Sequence, residues 1–289
     1  MNTVFLEKLK NQYGEDLAEK IMQGQTIKRK VTFRTNTIKS NNERVEKVLK
    51  ENNIKFQKVN WYEDAYILEE AVESDLQELD IYKNGEIYLQ SLSSMLPPLI
   101  LNPETGIDIL DMAAAPGSKT TQIAAITKNL SNITACEMNS IRAERLKYNI
   151  AKQGATSCFV MQKDSRKIDD FFRFDKILLD APCSGSGTEN FKEELIEKCA
   201  KIQESLLNKA LKILKKNSEM VYSTCSVLEE ENEKIVRKFV NSGSCEIIPI
   251  ELEYEKELPL LPSKLKGTLV VAPNNFFEGF YIAKLRKIK

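Results

Sequence analysis

The chain has 289 residues, 42 basic and 42 acidic side chains, six cysteines and no histidine. The lack of imidazole argues against a Ser-His-Asp hydrolase, a His-activated cysteine protease and most catalytic zinc centres, and the scattered cysteines argue against a structural zinc site or a disulfide framework. The sequence lacks an apolar run of the roughly 18 residues that a membrane helix needs, and its amino terminus becomes charged too early for a signal peptide, so we expect a cytoplasmic protein without a membrane or metal partner.

Residues 1–95 are expected to form a small N-terminal α+β module. Their pattern predicts a helix over residues 4–23, a strand in KVTFRTNTI, a helix over NERVEKVLKENN and extended segments around KFQKVNWY and EIYLQSL. Residues 28–58 carry ten basic and three acidic side chains. A charge run of this kind is usually a solvated face, so phosphate contact there needs support from another feature.

Residues 96–289 show the alternation that is typical of an α/β, Rossmann-type sheet, mostly parallel with helices on both faces. Strands are predicted at 106–114, 132–138, 157–164, 176–182 and 219–225, and helices at 118–130, 141–153 and 192–216. Ser226 and Glu229 have capping-box spacing, which predicts that a helix begins directly after Cys225. Ligands of such sheets bind at the carboxyl ends of the strands.

The turn DMAAAPGSKT lies between a predicted strand and a predicted helix. Small residues there let a backbone approach a ligand, and the amides of the helix start face polar or anionic groups. Glu137 ends the next strand, where an acidic residue would bind ribose hydroxyls, so an adenosine-containing cofactor is favoured. Asp164 at the end of the third strand fits a contact to the adenine amino group, although an exposed loop carboxylate is the other interpretation.

The segment GSKT also invites comparison with the phosphate loop of nucleoside triphosphatases. That loop needs Gly-Lys-Ser/Thr and a further glycine five residues before the second one. Here Ser118 precedes Lys119, and Ala113 stands five residues before Ser118. Nucleoside triphosphate hydrolysis is therefore disfavoured.

Two cysteines stand at matching places, Cys183 in ILLDAPCSGSGT and Cys225 in MVYSTCSVLEEE. Each follows an apolar strand, and the two strands are predicted neighbours in the sheet. A thiolate is a strong nucleophile at neutral pH. Asp180 lies three residues before Cys183, and a carboxylate at that place suits the holding of a nucleobase while a sulfur attacks it. The other four cysteines, at 136, 158, 199 and 245, are expected to be small buried hydrophobic residues.

Seven segments follow one another along the chain: FRTNTIK, LQSLSSMLP, DMAAAPGSKT, ACEMNSIRAERL, LLDAPCSGSGT, YSTCSVLEEEN and EGFYIAKL. Taken in this order, they resemble the RNA cytosine-5 methyltransferases of the Sun/nucleolar-protein type, and most of all their archaeal tRNA-modifying members. The resemblance implies an RRM-like module before the methyltransferase domain, S-adenosylmethionine as cofactor, and RNA as partner, with tRNA favoured over rRNA. It further implies a monomer that could take an accessory protein.

The resemblance also assigns cofactor roles to residues of this sequence. Glu137 would bind the ribose hydroxyls with Arg142 nearby, Asp164 would bind the adenine, and Asp180 would lie between the methyl donor and the target base. The methionine part would lie against the turn residues Ala113, Ala114, Ala115, Pro116, Gly117, Ser118 and Lys119.

The implied chemistry uses both thiols. Cys225 would attack carbon 6 of cytosine so that carbon 5 can accept a methyl group, and Cys183 would assist removal of the carbon 5 proton or expulsion of Cys225. Lys119 and Lys284 could contact the cofactor or RNA. An rRNA substrate and a catalytically inactive RNA-binding assembly factor are the alternatives.

The sequence departs from the family pattern at two places. Ser118 stands where a second glycine is usual, and Asn274 and Asn275 stand where a histidine is common. The extra hydroxymethyl group of Ser118 should leave cofactor binding intact. Without histidine, the proton acceptor must be water, a carboxylate or a thiolate.

Overall fold

Residues 3–289 are described by a computed structural model and build one sheet of four strands and one of nine. The four-stranded sheet belongs to the N-terminal module. Its antiparallel strands follow the order β2-β3-β1-β4. The elements of this part are α1 (Thr3–Tyr13), α2 (Glu15–Thr26), β1 (Thr32–Thr35), α3 (Asn42–Glu51), β2 (Phe56–Lys58), β3 (Ala65–Leu68), α4 (Glu73–Gln77), α5 (Asp80–Lys83) and β4 (Ile87–Leu89).

The module has a hydrophobic core of its own between this sheet and its helices. The side chain of Asn41 caps α3 by accepting a hydrogen bond from the Arg44 amide at 2.9 Å. Val45 and Leu49, one helical turn apart, lie on the buried face of α3 and pack with Phe33 of β1. The predicted helix over NERVEKVLKENN and the strand in KVTFRTNTI are therefore present.

The prediction of one helix over residues 4–23 is wrong, because the structure has two helices separated at Gly14. Gly14 has a φ of 84°, which a residue with a side chain rarely adopts, so the chain changes direction there. Phe5 of α1 and Ile21 of α2 pack into the core of the large sheet and not into that of the module. The division at residue 95 stays a proposal, since α1 and α2 share a core with the second part of the chain.

The nine-stranded sheet follows the order β11-β12-β13-β9-β8-β5-β6-β7, with β10 paired to β13. Strands β5 to β9 are parallel and the later strands are antiparallel, which confirms the predicted Rossmann-type α/β class. The elements are α6 (Leu92–Leu101), β5 (Asp108–Asp111), α7 (Ser118–Ile126), β6 (Asn132–Cys136), α8 (Ser140–Gln153), β7 (Cys158–Met161), β8 (Phe174–Asp180), α9 (Ile196–Ile213), β9 (Leu214–Thr224), α10 (Glu233–Asn241), β10 (Cys245–Ile248), β11 (Leu260–Leu261), β12 (Leu269–Val271) and β13 (Phe280–Lys287).

Both faces of the parallel strands are covered, which explains why these strands read as continuous apolar runs. Leu110, Ile177 and Leu179 face one core, whereas Ile109 and Leu178 face the other. At the far edge, β12 (Leu269–Val271) pairs with β13 and continues the sheet beyond the parallel strands. Among residues 3–289, no helix combines the length and the apolar character that crossing a bilayer requires.

Strands β8 and β9 are direct neighbours, with Asp180 opposite Ser223 in the register. The chain segments that follow them therefore leave the sheet side by side. The prediction of a helix directly after Cys225 is wrong, since α10 begins only at Glu233. The Ser226 hydroxyl accepts a hydrogen bond from the Leu228 amide at 3.1 Å and forms a local turn instead.

Candidate active site

Two sulfur atoms meet where β8 and β9 end. The Sγ atoms of Cys183 and Cys225 lie 3.1 Å apart, and both side chains are partly buried. The hydrogen bond to Cys225 and burial of the thiol hold the pKa of Cys183 well above its usual range. Cys225 lines the cavity at this edge of the sheet, which makes it the sulfur that a substrate can reach.

A buried carboxylate holds the turn that carries Cys183. Glu231 accepts hydrogen bonds from the amide of Ser184 at 2.7 Å and from its hydroxyl at 2.6 Å. Burial raises the pKa of Glu231 above its ordinary value. Glu231 could not be recognised from the sequence, because the run LEEEN looks like an exposed acidic turn and only its place after the second cysteine marks it.

The turn that carries Cys225 is fixed in a similar way. Asn232 accepts a hydrogen bond from the Thr224 hydroxyl at 2.6 Å and donates one to the carbonyl of Ser226 at 2.9 Å. The Gly187 amide donates to the Cys225 carbonyl at 2.9 Å. A Cβ atom on Gly187 would lie 2.0 Å from the carbonyl oxygen of Gly279, so this approach of two backbones requires glycine.

Lys119 and Asp180 form an ion pair beside the sulfurs, with 2.7 Å between Nζ and Oδ2. Lys119 also donates to the Ser94 hydroxyl at 2.7 Å, and Ser223 donates to Asp180 at 2.8 Å. Burial alone would lower the pKa of Lys119, but the charge and hydrogen bond of Asp180 raise it overall, so Lys119 is a cation here.

The predicted cofactor turn runs from the end of β5 into the first turn of α7. Its members are Ala113, Ala114, Ala115, Pro116, Gly117, Ser118 and Lys119. Helix α8 holds the turn, since Arg142 donates to the Ala115 carbonyl at 2.9 Å and Asn149 donates to the Pro116 carbonyl at 2.8 Å. Arg142 was predicted only as a neighbour of the ribose contact, and the structure adds this role in holding the turn.

Two carboxylates stand after the ends of β6 and β7. Glu137 is nearly buried, accepts the Asn139 amide at 2.9 Å and has one oxygen 3.3 Å from Arg142. Asp164 is bound by Arg166 at 2.7 Å, and that hydrogen bond lowers the pKa of the carboxyl group. Acceptors at successive strand ends fit the hydroxyl and amino donors of an adenosyl group.

Comparison with known proteins shows the family to which the chain belongs. Residues 98–286 match the family model described as 16S rRNA methyltransferase RsmB/F, and residues 3–75 match the RsmF/B-like ferredoxin-like domain. The chain belongs to the RsmB/F methyltransferase family. This result confirms the resemblance to the Sun-type family and the α+β character of the N-terminal module.

RsmB/F relatives of this chain include enzymes named for different RNAs. The chain is 31% identical to a probable ribosomal RNA small subunit methyltransferase B of Bacillus subtilis over 95% of its own length, but it spans only 64% of that protein. It is 33% identical to a tRNA (cytosine(49)-C(5))-methyltransferase of Pyrococcus abyssi, with 89% of this chain and 88% of the relative covered. A solved methyltransferase homologue from Pyrococcus horikoshii superimposes with a TM-score of 0.85 at 30% identity, with both chains fully covered.

In this RsmB/F family member, Cys225 opens onto a cavity of about 600 Å³ between the module and the large sheet. Cys225, Lys119 and Asp180 line it on the side of the sheet. The linker from α2 to β1 lines the other side with residues 28–30, the first part of the basic run. Phe276 and Phe280 supply aromatic surface.

A buried arginine links the module to the cofactor turn of this RsmB/F chain. Arg34 of β1 donates to Gln90 at 2.9 Å and to the Thr121 hydroxyl of α7 at 2.8 Å, and it lies 3.3 Å from the Ser118 carbonyl. The side chain is fully buried. No local pattern in FRTNTIK marks Arg34 as different from the exposed cations around it, so the sequence analysis missed it.

Not every predicted residue reaches the site of this RsmB/F chain. Lys284 binds Glu219 at 3.0 Å, and Glu219 stands opposite Lys176, four residues before Ser223 along β9, or about 13 Å from the site edge. Lys284 is not among the residues that line the cavity, and its contact with cofactor or RNA stays a prediction. Among residues 3–289, no group of three or more metal-ligating side chains converges.

Proposed function

We propose that the protein transfers a methyl group from S-adenosylmethionine to carbon 5 of cytosine in RNA. The observation that carries this proposal is the 3.1 Å separation of the Cys183 and Cys225 sulfurs beside the buried Lys119–Asp180 pair. Two hydrogen-bonded thiols, of which Cys183 has a raised pKa, suit the making and breaking of a bond to carbon 6.

The cofactor would lie along the carboxyl ends of β5, β6 and β7. The turn from Ala113 to Lys119 would hold its methionine part, Glu137 the ribose hydroxyls and Asp164 the adenine, with Arg142 keeping the turn in place. The bound cofactor supplies an electrophilic methyl group. Asp180 and Lys119 would face both the donor and the target base.

The cysteines act in sequence on the base. The Cys225 thiolate forms a bond to carbon 6, which moves the electrons of the ring double bond to carbon 5 and makes that atom nucleophilic. After carbon 5 has gained the methyl group, it loses its proton to water or a carboxylate, and the carbon–sulfur bond breaks to restore the ring. The raised pKa of Cys183 suits a proton donor to the departing sulfur across 3.1 Å, so we assign it to release of Cys225.

The substrate is proposed to be tRNA, with rRNA as the alternative. The P. abyssi relative named for tRNA matches the chain over most of both lengths, whereas the B. subtilis relative named for rRNA is considerably longer. A target base must leave its stack to reach a crevice thiol, and RNA loops and junctions offer such positions at a low energetic cost. We further propose a cytoplasmic monomer with an RNA-recognition module in residues 1–95 and a methyltransferase domain in residues 96–289.

The test is methyl transfer from labelled S-adenosylmethionine to unfractionated tRNA and to rRNA, followed by mapping of 5-methylcytosine. Cys225→Ala should give no product, and Cys183→Ala should accumulate a denaturant-resistant protein–RNA adduct. Cys158→Ala is the matched control, because Cys158 lies on β7 away from the sulfur pair, and it should behave like the parent.

Three outcomes would contradict the proposal. The first is a parent protein that binds RNA without methylating it, as a catalytically inactive assembly factor would. The second is a Cys225→Ala variant that still transfers methyl groups. The third, which bears on the division of roles alone, is a Cys183→Ala variant that turns over like the parent.

A further inference from the structure

One face of α8 exposes aromatic and basic side chains next to the cofactor turn. Ile141, Arg145, Tyr148 and Lys152 stand at intervals of three or four residues and therefore share a face of the helix. The exposed fractions of Tyr148 and Ile141 are 65% and 67%. Neither residue serves the hydrophobic core, and the proposed reaction does not use this face.

This face is continuous with the cavity that Cys225 lines. That cavity shares Tyr88, Leu89 and Pro116 with a smaller one of about 180 Å³, which also contains Asn149 and Lys152. Pro116 and Asn149 in turn line a groove of about 600 Å³ that contains Arg145 and Tyr148. A chain leaving the active site can thus follow the surface over Pro116 onto α8.

The cations along this path lack carboxylate partners. Among residues 3–289, no carboxylate oxygen lies within 4 Å of the charged nitrogens of Arg145, Lys152 or Lys39. Lys39 donates to the backbone carbonyls of Asn84 and Lys152, and the Lys152 ammonium lies 3.8 Å from the centroid of the Tyr82 ring. By contrast, Lys147 on the same helix pairs with Glu144 at 2.8 Å.

Lys152 lies in the field of a second cation. Burial lowers its pKa, and the charge of Lys39 lowers it further. Two like charges in the same region repel each other, and a bound phosphate would offset that repulsion. The chain as a whole is neutral, so this concentration of unpaired positive charge is local.

We infer that this path, here called the α8 track, binds single-stranded RNA that flanks the target cytosine. Phosphates lie against Arg145, Lys152 and Lys39, and an unstacked base packs on the ring of Tyr148. Exposed aromatic rings among unpaired cations are the combination that single-stranded nucleic acid recognises, whereas a protein partner would favour a broader apolar surface. The inference rests on the proposed function, because only an RNA substrate gives the track its ligand.

The experiment measures equilibrium binding of unfractionated tRNA by the full chain over a range of salt concentrations. Arg145→Gln should reduce the slope of log affinity against log salt by about 0.7, the value for one phosphate contact with a single strand. Tyr148→Ala should weaken binding about tenfold at every salt concentration without changing the slope, because a stacking contact releases few ions. Tyr148→Phe should restore the affinity.

Lys147→Gln is the matched control, since it removes a cation from the same helix that is already paired with Glu144, and its slope should equal that of the parent. Methyl transfer by the parent is measured in parallel. Absence of transfer would refute the proposed function. Normal transfer by the parent, together with unchanged tRNA affinity and slope in the Arg145 and Tyr148 variants, would overturn only the α8 track. The same conclusion would follow if these variants lost cofactor affinity but kept their RNA affinity.

Discussion

Asp111→Asn should stabilise the fold at neutral pH and leave it unchanged at low pH. Asp111 ends β5 and is almost completely buried. Its Oδ2 atom accepts a hydrogen bond from Thr120 at 2.6 Å, whereas Oδ1 is buried and meets no hydrogen-bond donor at normal geometry. Burial raises the pKa of the carboxyl group from 3.8 to about 6.

The sign and size of the effect follow from this shift. Below about pH 3 the carboxyl group is protonated in both the folded and the unfolded chain. As the pH rises, the unfolded chain ionises first, so the folded state loses about 3 kcal/mol of stability between roughly pH 4 and pH 6, and little more above that range. Asparagine has the same shape, can accept the Thr120 hydrogen bond and stays neutral, so the variant avoids this loss.

Urea unfolding of parent and variant at pH 4 and pH 8 measures the effect. The difference in the free energy of unfolding should be near zero at pH 4 and up to about 3 kcal/mol in favour of the variant at pH 8. Asp175→Asn is a control of opposite sign. Burial alone would raise the pKa of Asp175, but its hydrogen bond with Lys215 lowers it overall, so this variant should lose stability at pH 8. A gain for Asp111→Asn that is equal at both pH values would refute the reasoning.

Three further substitutions and one surface control test the contacts around the site. Arg34→Met removes fully buried hydrogen bonds and should lower the free energy of unfolding by about 3 kcal/mol, whereas Arg44→Gln, which breaks a surface ion pair, should change it by less than about 1 kcal/mol. Lys119→Met should reduce methyl transfer by about 100-fold or more while RNA affinity is retained, since a preorganised charge is lost. Glu231→Gln should slow transfer and lower stability by about 1 to 2 kcal/mol, as measured by single-turnover kinetics and urea unfolding.

The parallel sheet and the meeting of the two cysteines could be predicted because both depend on local patterns. Apolar runs alternating with amphipathic helices specify parallel strands, and strands that are neighbours bring the residues after them to one edge. That the segments carrying Cys183 and Cys225 meet follows from the register that pairs Asp180 with Ser223. The 3.1 Å between the two sulfurs also depends on the turns that Glu231 and Asn232 hold.

Features set by tertiary contacts could not be predicted in this way. The helix expected after Cys225 has the right capping spacing, but Asn232 bonds to Thr224 and Ser226 and holds the segment as a loop until α10 begins. Lys284 lies in a segment of the family pattern, yet it is directed to Glu219 because β13 runs antiparallel to β9. Asn232 lies in an irregular segment, and Glu219 is remote in sequence from Lys284. Sequence spacing therefore does not indicate either contact.

The polar contacts of Arg34 show why the module and the catalytic edge must be considered together. Arg34 binds Gln90, Gln90 donates to the Ser94 carbonyl at 3.0 Å, and the Ser94 hydroxyl receives the hydrogen bond of Lys119, which pairs with Asp180. Each of these contacts is at least partly buried, so breaking one leaves a polar group without solvent or partner, at a cost of about 1 to 3 kcal/mol. The position of the active-site lysine therefore depends on β1 of the module. Residues 96–289 on their own would lose the contacts that hold Lys119 in place.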